Sequence, residues 1–350
     1  MRVGIYAGAH HAVAPALVEG FRLCGAGASV RATDHYYGER ETFDLVVVYG
    51  MKAGRRVRDT YAAAGVPVVV IDWGYMRRVN DPSEAAAGYF QVGLAGLNRV
   101  PAFACPPDRF DALGLEVVEQ GGDPQGYVLV CGQVPGDAAH GLDAEALQSW
   151  LAEQLGARAG AVYRPHPRGG VDLPGVESDR RPLAESLAGA RLVVAYNSNV
   201  GHDALLAGVP VVCGPGAAYE DLAGEQLPSI EDRRAYFARL AYGQWTLEEM
   251  RSGQCQRFLI DHLVPGVGLP GEAAQTENRP SVPELSSGAE AETNGGTAVA
   301  TAPTAGGEPV PTPISGAAPE TVPPAGQPTT VPSAEAPKRR GRPPRKQAGA

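Results

Sequence analysis

Three small polar residues, Asn197, Ser198 and Asn199, follow the apolar run 191–196 and stand directly before a helical pattern. The first turn of a helix offers free backbone amides and the positive end of the helix dipole, and both attract phosphate. The three side chains would add hydrogen-bond donors, while Asp203, one turn into the helix, would accept from hydroxyl groups. The spacing therefore predicts a site for a phosphate ligand, and simple capping of the helix by the same residues is the alternative.

A carboxylate ends an apolar run in the first half of the chain. Residues 66–72 read VPVVVID, which is typical of a strand buried on both faces, and Asp72 is the last of them. Because ligands bind at the carboxyl ends of parallel strands, Asp72 is a candidate general base that takes a proton from an acceptor hydroxyl. An acid that caps the next turn is the alternative. His10 and His11, in the loop after the first apolar strand, are the other candidate bases, or else an exposed pair of loop histidines.

Two pairs of residues could balance the negative charge of a phosphate. Arg77 and Arg78 follow Asp72 closely and would reach a phosphate of either substrate, unless they are solvated surface side chains. Arg164 and His166 lie in the run Arg-Pro-His-Pro after another apolar strand, where they could stabilise a departing diphosphate. The alternative for His166 is a hydrogen bond to a loop carbonyl. No Cys-x-x-Cys run is present, so the sequence indicates no metal site.

These candidate residues need a scaffold of alternating strands and helices, and the sequence supplies one in each half. Apolar runs alternate with helical patterns, which indicates parallel sheets. The runs predicted as strands cover residues 2–7, 43–49, 66–72, 127–132, 161–164, 191–196 and 209–213. Between 100 and 125 the pattern loosens around several Pro and Gly residues. We therefore predict an α/β fold of two Rossmann-like domains, 1–115 and 116–265, facing a cleft.

The composition limits what the chain does as a whole. Lys and Arg number 30 and Asp and Glu number 39, a net charge of −9, which argues against a protein whose entire surface binds nucleic acid. No apolar run is long enough to span a membrane. The five Cys are widely spaced, which fits a reducing cytoplasm. Residues 266–337 are rich in Pro, Ala, Gly and Glu and are predicted to form a disordered linker.

The linker leads to a basic segment, 338–346, in which six of nine residues are Lys or Arg. Its core, Arg340-Gly341-Arg342-Pro343, resembles an AT-hook. Glycine lets the backbone enter the narrow minor groove, and the two arginines reach its negative potential, which is strongest over A·T tracts. The segment therefore predicts binding to A/T-rich double-stranded DNA, with a generally basic, solubilising tail as the alternative.

The residues around the polar turn resemble a known family. The turn is followed by Asp-Ala-Leu at 203–205 and Gly-Val-Pro-Val at 208–211, and this order is similar to the donor half of GT-B glycosyltransferases. There the turn holds the diphosphate of a nucleotide sugar, and the acid, more often Glu, holds the ribose hydroxyls. Arg-Pro-His-Pro at 164–167 resembles the run of capsule-polysaccharide-synthase-like and related phage glycosyltransferases, in which the His faces the donor. The residues from Asp72 resemble their acid-Gly-aromatic-x-Arg motif, with Trp73 where a second acid often stands.

The resemblance and the basic segment together imply a function. The chain would transfer a sugar, glucose from UDP-glucose, onto hydroxymethylated pyrimidines in DNA such as 5-hydroxymethylcytosine, as phage DNA glucosyltransferases do. The acceptor base would be flipped into the cleft, and no cofactor beyond the nucleotide sugar is implied. A phage-encoded chain would act in the host cytoplasm. The alternatives are a capsule- or lipopolysaccharide-type glycosyltransferase and a non-catalytic DNA-binding protein.

Overall fold

The computed structural model describes residues 1–8, 12–78 and 88–264, which belong to one compact unit. The linker 266–337, the basic segment 338–346 and the histidines at positions 10 and 11 lie outside these ranges, so the predictions made for them stay predictions. The boundary between the two predicted domains likewise stays a prediction.

Ten strands and nine α-helices lie within the described ranges. The strands are Arg2–Ala7 (β1), Gly27–Ala32 (β2), Leu45–Tyr49 (β3), Val68–Trp73 (β4), Tyr89–Leu94 (β5), Tyr127–Cys131 (β6), Ala161–Arg164 (β7), Ala190–Ala195 (β8), Val211–Cys213 (β9) and Gln244–Thr246 (β10). The helices are Val13–Leu23 (α1), Met51–Ala62 (α2), Asp108–Ala112 (α3), Ala144–Gly156 (α4), Leu183–Ala188 (α5), Val200–Leu206 (α6), Ile230–Tyr242 (α7), Leu247–Arg251 (α8) and Gln254–Phe258 (α9).

The first sheet has six strands in the order β10-β5-β4-β3-β1-β2. The pairs among β2, β1, β3 and β4 are parallel, whereas β5 and β10 are antiparallel additions at one edge. Both faces are covered: Val47 of β3 packs in the core shared with α1, and Val46 and Val48 pack in the core shared with α2. Gly54 lets α2 come close to the sheet, because a β-carbon there would collide with the side chain of Val48.

The second sheet is entirely parallel, in the order β7-β6-β8-β9. One face packs against α4, where Leu147 and Leu151 meet Val130 of β6. The other face packs against α6 and α7, with Leu129 of β6 in that core. Two sheets with parallel strands, each covered by helices on both faces, confirm the predicted α/β fold of Rossmann-like halves.

The last elements of the described chain return to the first sheet. Strand β10 pairs with β5, and Trp245, Met250 and Phe258 join the core around Val3 of β1. Residues 244–264, which the sequence placed with the second half, are therefore packed on the first. The reason is that an apolar pattern shows that a segment is buried but does not show which sheet buries it.

A buried arginine fixes the junction between the halves. Arg233 of α7 is 1% exposed, and its guanidinium donates to the carbonyls of Val118, Glu119 and Leu205. The first two carbonyls lie in the connection between the sheets, and the third lies at the end of α6. These bonds tie α7 both to the connection between the sheets and to the end of α6.

Candidate active site

Ionisable residues from both halves meet in the cleft at the carboxyl ends of parallel strands. Asp72 is the second-last residue of β4, Asp137 follows β6, His166 follows β7, and Asp203 lies on α6 after β8. Arg78, from the loop after β4, completes the group by an ion pair to Asp203. The negative charge of Asp137 acts on the pKa of both Asp72 and His166, and Arg78 acts on that of His166. We call these five residues the cleft cluster.

Asp72 is half-buried and held by two backbone amides. Its Oδ1 accepts from Trp73 N at 2.8 Å, and its Oδ2 accepts from Met51 N, the first residue of α2, at 3.4 Å. Burial raises the pKa of Asp72, the two amides oppose the rise, and the charge of Asp137 adds to it. A carboxylate whose proton affinity is raised in a cleft has the property needed of a general base.

Asp137 belongs to this group although no motif in the sequence pointed to it. It is exposed in the loop after β6, and its Oδ1 accepts from Ala139 N at 2.8 Å in a local turn. It lies in the run Pro-Gly-Asp, which by itself indicates only a turn. Its place beside Asp72 depends on the packing of two sheets, which no local pattern shows.

Asn197 acts on this loop, so its side chain has a different role from the predicted one. It is buried, its Oδ1 accepts from Gln133 Nε2 at 2.8 Å, and its Nδ2 donates to Ala139 O at 3.0 Å. Its backbone amide donates to Gln133 Oε1 at 2.9 Å. The expectation that the Asn197 side chain binds a phosphate is therefore corrected: it holds the loop that carries Asp137.

The first turn of α6 also has fewer free backbone amides than the sequence suggested. The helix has seven residues, and its first amides are bonded internally: Val200 N to Ser198 Oγ, Gly201 N to Ser198 O and His202 N to Asn199 O. Within the described part of the chain, the amides of Ser198 and Asn199 have no partner. Asn199 Nδ2 donates to Gly74 O at 3.2 Å, in the loop after β4. The amides available to a phosphate are thus those of the polar turn and not those of the helix.

Arg78 and Asp203 join the two halves directly. Arg78 Nη2 donates to Asp203 Oδ2 at 2.9 Å, and the two side chains are 33% and 30% exposed. A second nitrogen of Arg78 donates to Tyr75 O at 3.0 Å. The loop itself is held by Gln244, whose Oε1 accepts from the amides of Tyr75 and Met76, both at 2.9 Å. The predicted ribose ligand is therefore paired with a predicted phosphate ligand.

Two other predicted phosphate ligands are engaged elsewhere. Arg77, which has a positive φ of 48°, donates through Nη2 to Leu113 O at 2.8 Å, at the end of α3. Arg164 donates to Arg181 O at 2.7 Å and to Ser186 Oγ at 2.9 Å, near α5. Among the described residues, no hydrogen bond or ion pair joins either guanidinium to the cleft cluster, and phosphate binding by Arg77 and Arg164 stays a prediction. A sequence pattern shows that an arginine is near a strand end and leaves its partner undetermined.

His166 lies in the cleft cluster as the family motif implied. Its Nδ1 accepts from Arg168 N at 3.2 Å, which assigns the proton of the neutral ring to Nε2. Burial lowers the pKa of His166, so the ring is neutral at pH 7, and the charges of Arg168 and Arg78 act in the same direction. A neutral histidine with a protonated Nε2 is a hydrogen-bond donor suited to a phosphate or sugar oxygen.

An aromatic box fixes α6 from behind and was not expected from the sequence. His202 is 1% exposed, and its Nε2 pairs with the hydroxyl of Tyr236 at 2.9 Å. The rings of Tyr75 and Tyr219 meet it edge-on at centroid distances of 5.4 Å and 5.0 Å. Burial lowers the pKa of His202 to about 3, so the ring stays neutral. Because Tyr75 belongs to the loop after β4, this box also joins the two halves.

A separate cavity of about 890 Å³ lies between α1 and β2. Its lining is mostly apolar, and it contains no member of the cleft cluster. Gly8 and Ala12 contribute to it, and they flank the histidine candidates at 10 and 11, which lie outside the described residues.

Two classes of feature are absent from the described ranges. No group of three or more His, Cys, Asp or Glu there is arranged to hold a metal ion. None of the helices in the same ranges combines the length and the apolar character needed to cross a bilayer.

The chain is similar to known proteins only in structure and only at low sequence identity. No protein-family model and no curated protein matches the chain. Among solved structures it is similar to KpsC of Thermosulfurimonas dismutans, a β-Kdo 2,4 transferase, with 16% identity over 68% of this chain and 90% of that one and a TM-score of 0.47. It is also similar to the β-Kdo 2,7 transferase KpsC of the same organism, with 14% identity over 73% of this chain and 99% of that one and a TM-score of 0.38. With MurG of Acinetobacter baumannii it shares 14% identity over 75% of this chain and 91% of that one, with a TM-score of 0.23. At these scores the likenesses carry no argument about activity.

Proposed function

We propose that this protein is a nucleotide-sugar-dependent glycosyltransferase that moves glucose from UDP-glucose onto hydroxymethylated pyrimidines in DNA. The observation that supports the transferase activity is the cleft cluster. A carboxylate with a raised pKa stands on the first sheet, and a cation from the loop after its strand pairs with an acid of the second half. A neutral histidine of the second half lies near both the cation and Asp137. Proton removal and stabilisation of a leaving diphosphate are the two tasks that sugar transfer requires.

The donor would lie against the second sheet. The two amides of the polar turn, at Ser198 and Asn199, and Nε2–H of His166 would donate to the diphosphate oxygens. Asp203 uses Oδ2 for Arg78, which leaves Oδ1 to accept from the ribose hydroxyls. Arg78 stands next to the same position and would supply positive charge to the leaving group. These groups are preorganised by contacts that exist without ligand, which is what makes electrostatic stabilisation effective.

Asp72 would act on the acceptor. Its carboxylate takes the proton from the hydroxymethyl oxygen as that oxygen attacks the anomeric carbon of the sugar. The bond between the anomeric carbon and the diphosphate oxygen breaks, and the nucleoside diphosphate leaves with the electron pair. The hydroxymethyl group lies at the edge of a stacked base in the major groove, where the intact duplex keeps it from a carboxylate inside a cleft. The nucleotide would therefore be flipped into the cleft to reach Asp72.

The choice of DNA as acceptor is supported by the sequence of the basic segment. Arg340, Gly341, Arg342 and Pro343 form a minor-groove binding pattern, and the linker of 72 residues at 266–337 would span roughly 45–50 Å as a flexible coil. A tether of this length keeps DNA near the cleft at a raised local concentration without fixing its register.

The decisive experiment measures the product. The full chain is incubated with hydroxymethylated duplex DNA and a panel of nucleotide sugars, and the digested nucleosides are analysed by mass spectrometry. We expect a hexose adduct with UDP-glucose, and at least a hundredfold slower formation of it by Asp72→Asn. Absence of any adduct from folded protein across the panel would remove the proposal for DNA.

Deletion of residues 338–350 tests the acceptor class further. Loss of activity on long DNA at moderate salt supports DNA. Activity on capsule or lipopolysaccharide acceptors that is indifferent to the deletion would support the other type of glycosyltransferase.

A further inference from the structure

The exposed face of α2 is basic in an otherwise acidic protein. Lys52, Arg55 and Arg56 are exposed within about one turn of the helix, while the opposite face is buried against the first sheet. The chain as a whole carries a net charge of −9, so this face is a local reversal of the overall sign. We call these three side chains the basic face.

The protein itself does little to neutralise the basic face. Among the residues that the structure describes, Lys52 and Arg55 make no ion pair or side-chain hydrogen bond, and Arg56 donates to a carbonyl, Tyr37 O. The one acid on this side of the helix, Asp59, is paired with Arg58. The first turn of α2 contains no acidic residue, although cations near a helix N-terminus oppose the helix dipole. The arrangement is electrostatically unfavourable alone and becomes favourable when an anion binds.

The basic face begins beside the candidate base. Helix α2 starts at Met51, whose amide lies 3.4 Å from Asp72 Oδ2, and Lys52 is the next residue. Measured from Lys52, Arg55 and Arg56 lie about 4.5 Å and 6 Å farther along the helix axis. An extended polyanion bound along α2 would therefore pass the mouth of the cleft where Asp72 lies.

We propose that the basic face binds the phosphodiester backbone of the acceptor DNA next to the flipped nucleotide. The inference rests on the proposed function, because it takes the base that reaches Asp72 to be part of a nucleic acid. A flipped nucleotide carries phosphates on both sides, and holding them positions the base without reading sequence. The basic face supplies charges for these phosphates at the acceptor side of the cleft, independently of the basic segment at 338–346.

The test uses the full chain and two variants of equal charge change. Lys52→Glu/Arg55→Glu reverses two charges of the basic face, and Arg22→Glu/Arg234→Glu reverses two exposed arginines on α1 and α7. Binding to a 24-base-pair hydroxymethylated duplex is measured by fluorescence anisotropy between 50 and 200 mM salt, without donor. Each phosphate contact contributes about 0.9 to the slope of log affinity against log salt. We expect the basic-face variant to lower that slope by about 1.8 and the affinity about tenfold, and the control to leave the slope unchanged.

Each outcome separates this proposal from the proposed function. An equal loss in both variants, or no loss in either, would overturn the role of the basic face. Tighter binding of an anionic polysaccharide than of DNA, with the same dependence on Lys52 and Arg55, would overturn DNA as its partner. If wild-type protein forms no glucosylated nucleoside while the basic-face variant alone still loses DNA affinity, the proposed function fails and the basic face stands. Circular dichroism melts of both variants check that they remain folded.

Discussion

Replacement of Asp72 by Asn separates the catalytic from the structural role of this carboxylate. Asn keeps the size of the side chain and removes the proton acceptor. General-base catalysis contributes about 10²- to 10⁴-fold to a rate, or about 3 to 5 kcal/mol of barrier, so turnover should fall by that amount. The affinity for UDP-glucose should stay unchanged, because the groups that would hold the donor lie on the second sheet and in the loop that contacts it.

The same substitution should change stability little at pH 7. Asn can keep the 2.8 Å bond from Trp73 N and loses only the long 3.4 Å bond from Met51 N, at the low end of about 0.5–1.5 kcal/mol. The raised pKa of Asp72, of which burial is the largest cause, acts in the opposite direction to this loss. A carboxyl whose folded pKa exceeds its unfolded value stabilises the fold below the unfolded pKa and loses that contribution as pH rises through the folded pKa. Asn removes the resulting penalty, so the two effects oppose each other.

The assay combines single-turnover kinetics, calorimetric titration with UDP-glucose and urea unfolding at several pH values. We expect a rate at least a hundredfold lower, unchanged donor affinity and an unfolding free energy at pH 7 within about 1 kcal/mol of wild type. The stability of the variant relative to wild type should increase as pH rises from about 3.8. A rate within threefold of wild type would place the base elsewhere, with His10 and His11 next in line. A large loss of stability at pH 7 would instead mark Asp72 as a cap of α2.

Three further predictions concern other contacts of the cleft. Asp137→Asn should move the acidic limb of the kcat/KM profile to lower pH, because it removes a charge that raises the pKa of Asp72; an unmoved limb would show that the two carboxylates do not interact. A double-mutant cycle with Arg78→Gln and Asp203→Asn should give about 0.5–1 kcal/mol of coupling in urea unfolding without donor, since the pair is about one-third exposed, and strict additivity would contradict the ion pair. Asn197→Ala should lower the unfolding free energy by about 2–3 kcal/mol, because it leaves Gln133 buried with an unpaired amide; a change below 0.5 kcal/mol would contradict the role of Asn197 as the support of this loop.

The sequence was informative where local patterns decide the structure. Continuous apolar runs placed most strands, and the position of Asp72 at the end of one of them follows from strand boundaries alone. The antiparallel strand β5 was not predicted, because its residues follow no pronounced alternation and pair with β4 only through the fold. Likewise β10 is three residues long, too short for a periodicity to identify it.

The partners of side chains were beyond the reach of the sequence for a physical reason. Arg77 and Arg78 are adjacent and of one type, yet one donates to a helix end and the other to Asp203, 125 positions away. Asn197 meets Gln133 across 64 positions. Such contacts depend on how two sheets are placed against each other, and every candidate donor in the polar turn has the same local propensity. Residue type and spacing therefore identified the cleft, and packing determined which residues are free to act in it.

The contacts of the loop after β4 explain how a base on one sheet can be held at a fixed distance from groups on the other. Asp72 and Tyr75 are three residues apart, and Tyr75 is fully buried in the aromatic box of α6. Asn199 holds Gly74 O in the same loop, and Gln244 holds two of its amides. The strand that carries the base is thus tied, within three residues, to the helix that carries Asp203. A displacement of about 1 Å at reacting atoms can cost about a hundredfold in rate. If Asp72 is the base of the proposed transferase, these contacts therefore set its rate without touching substrate.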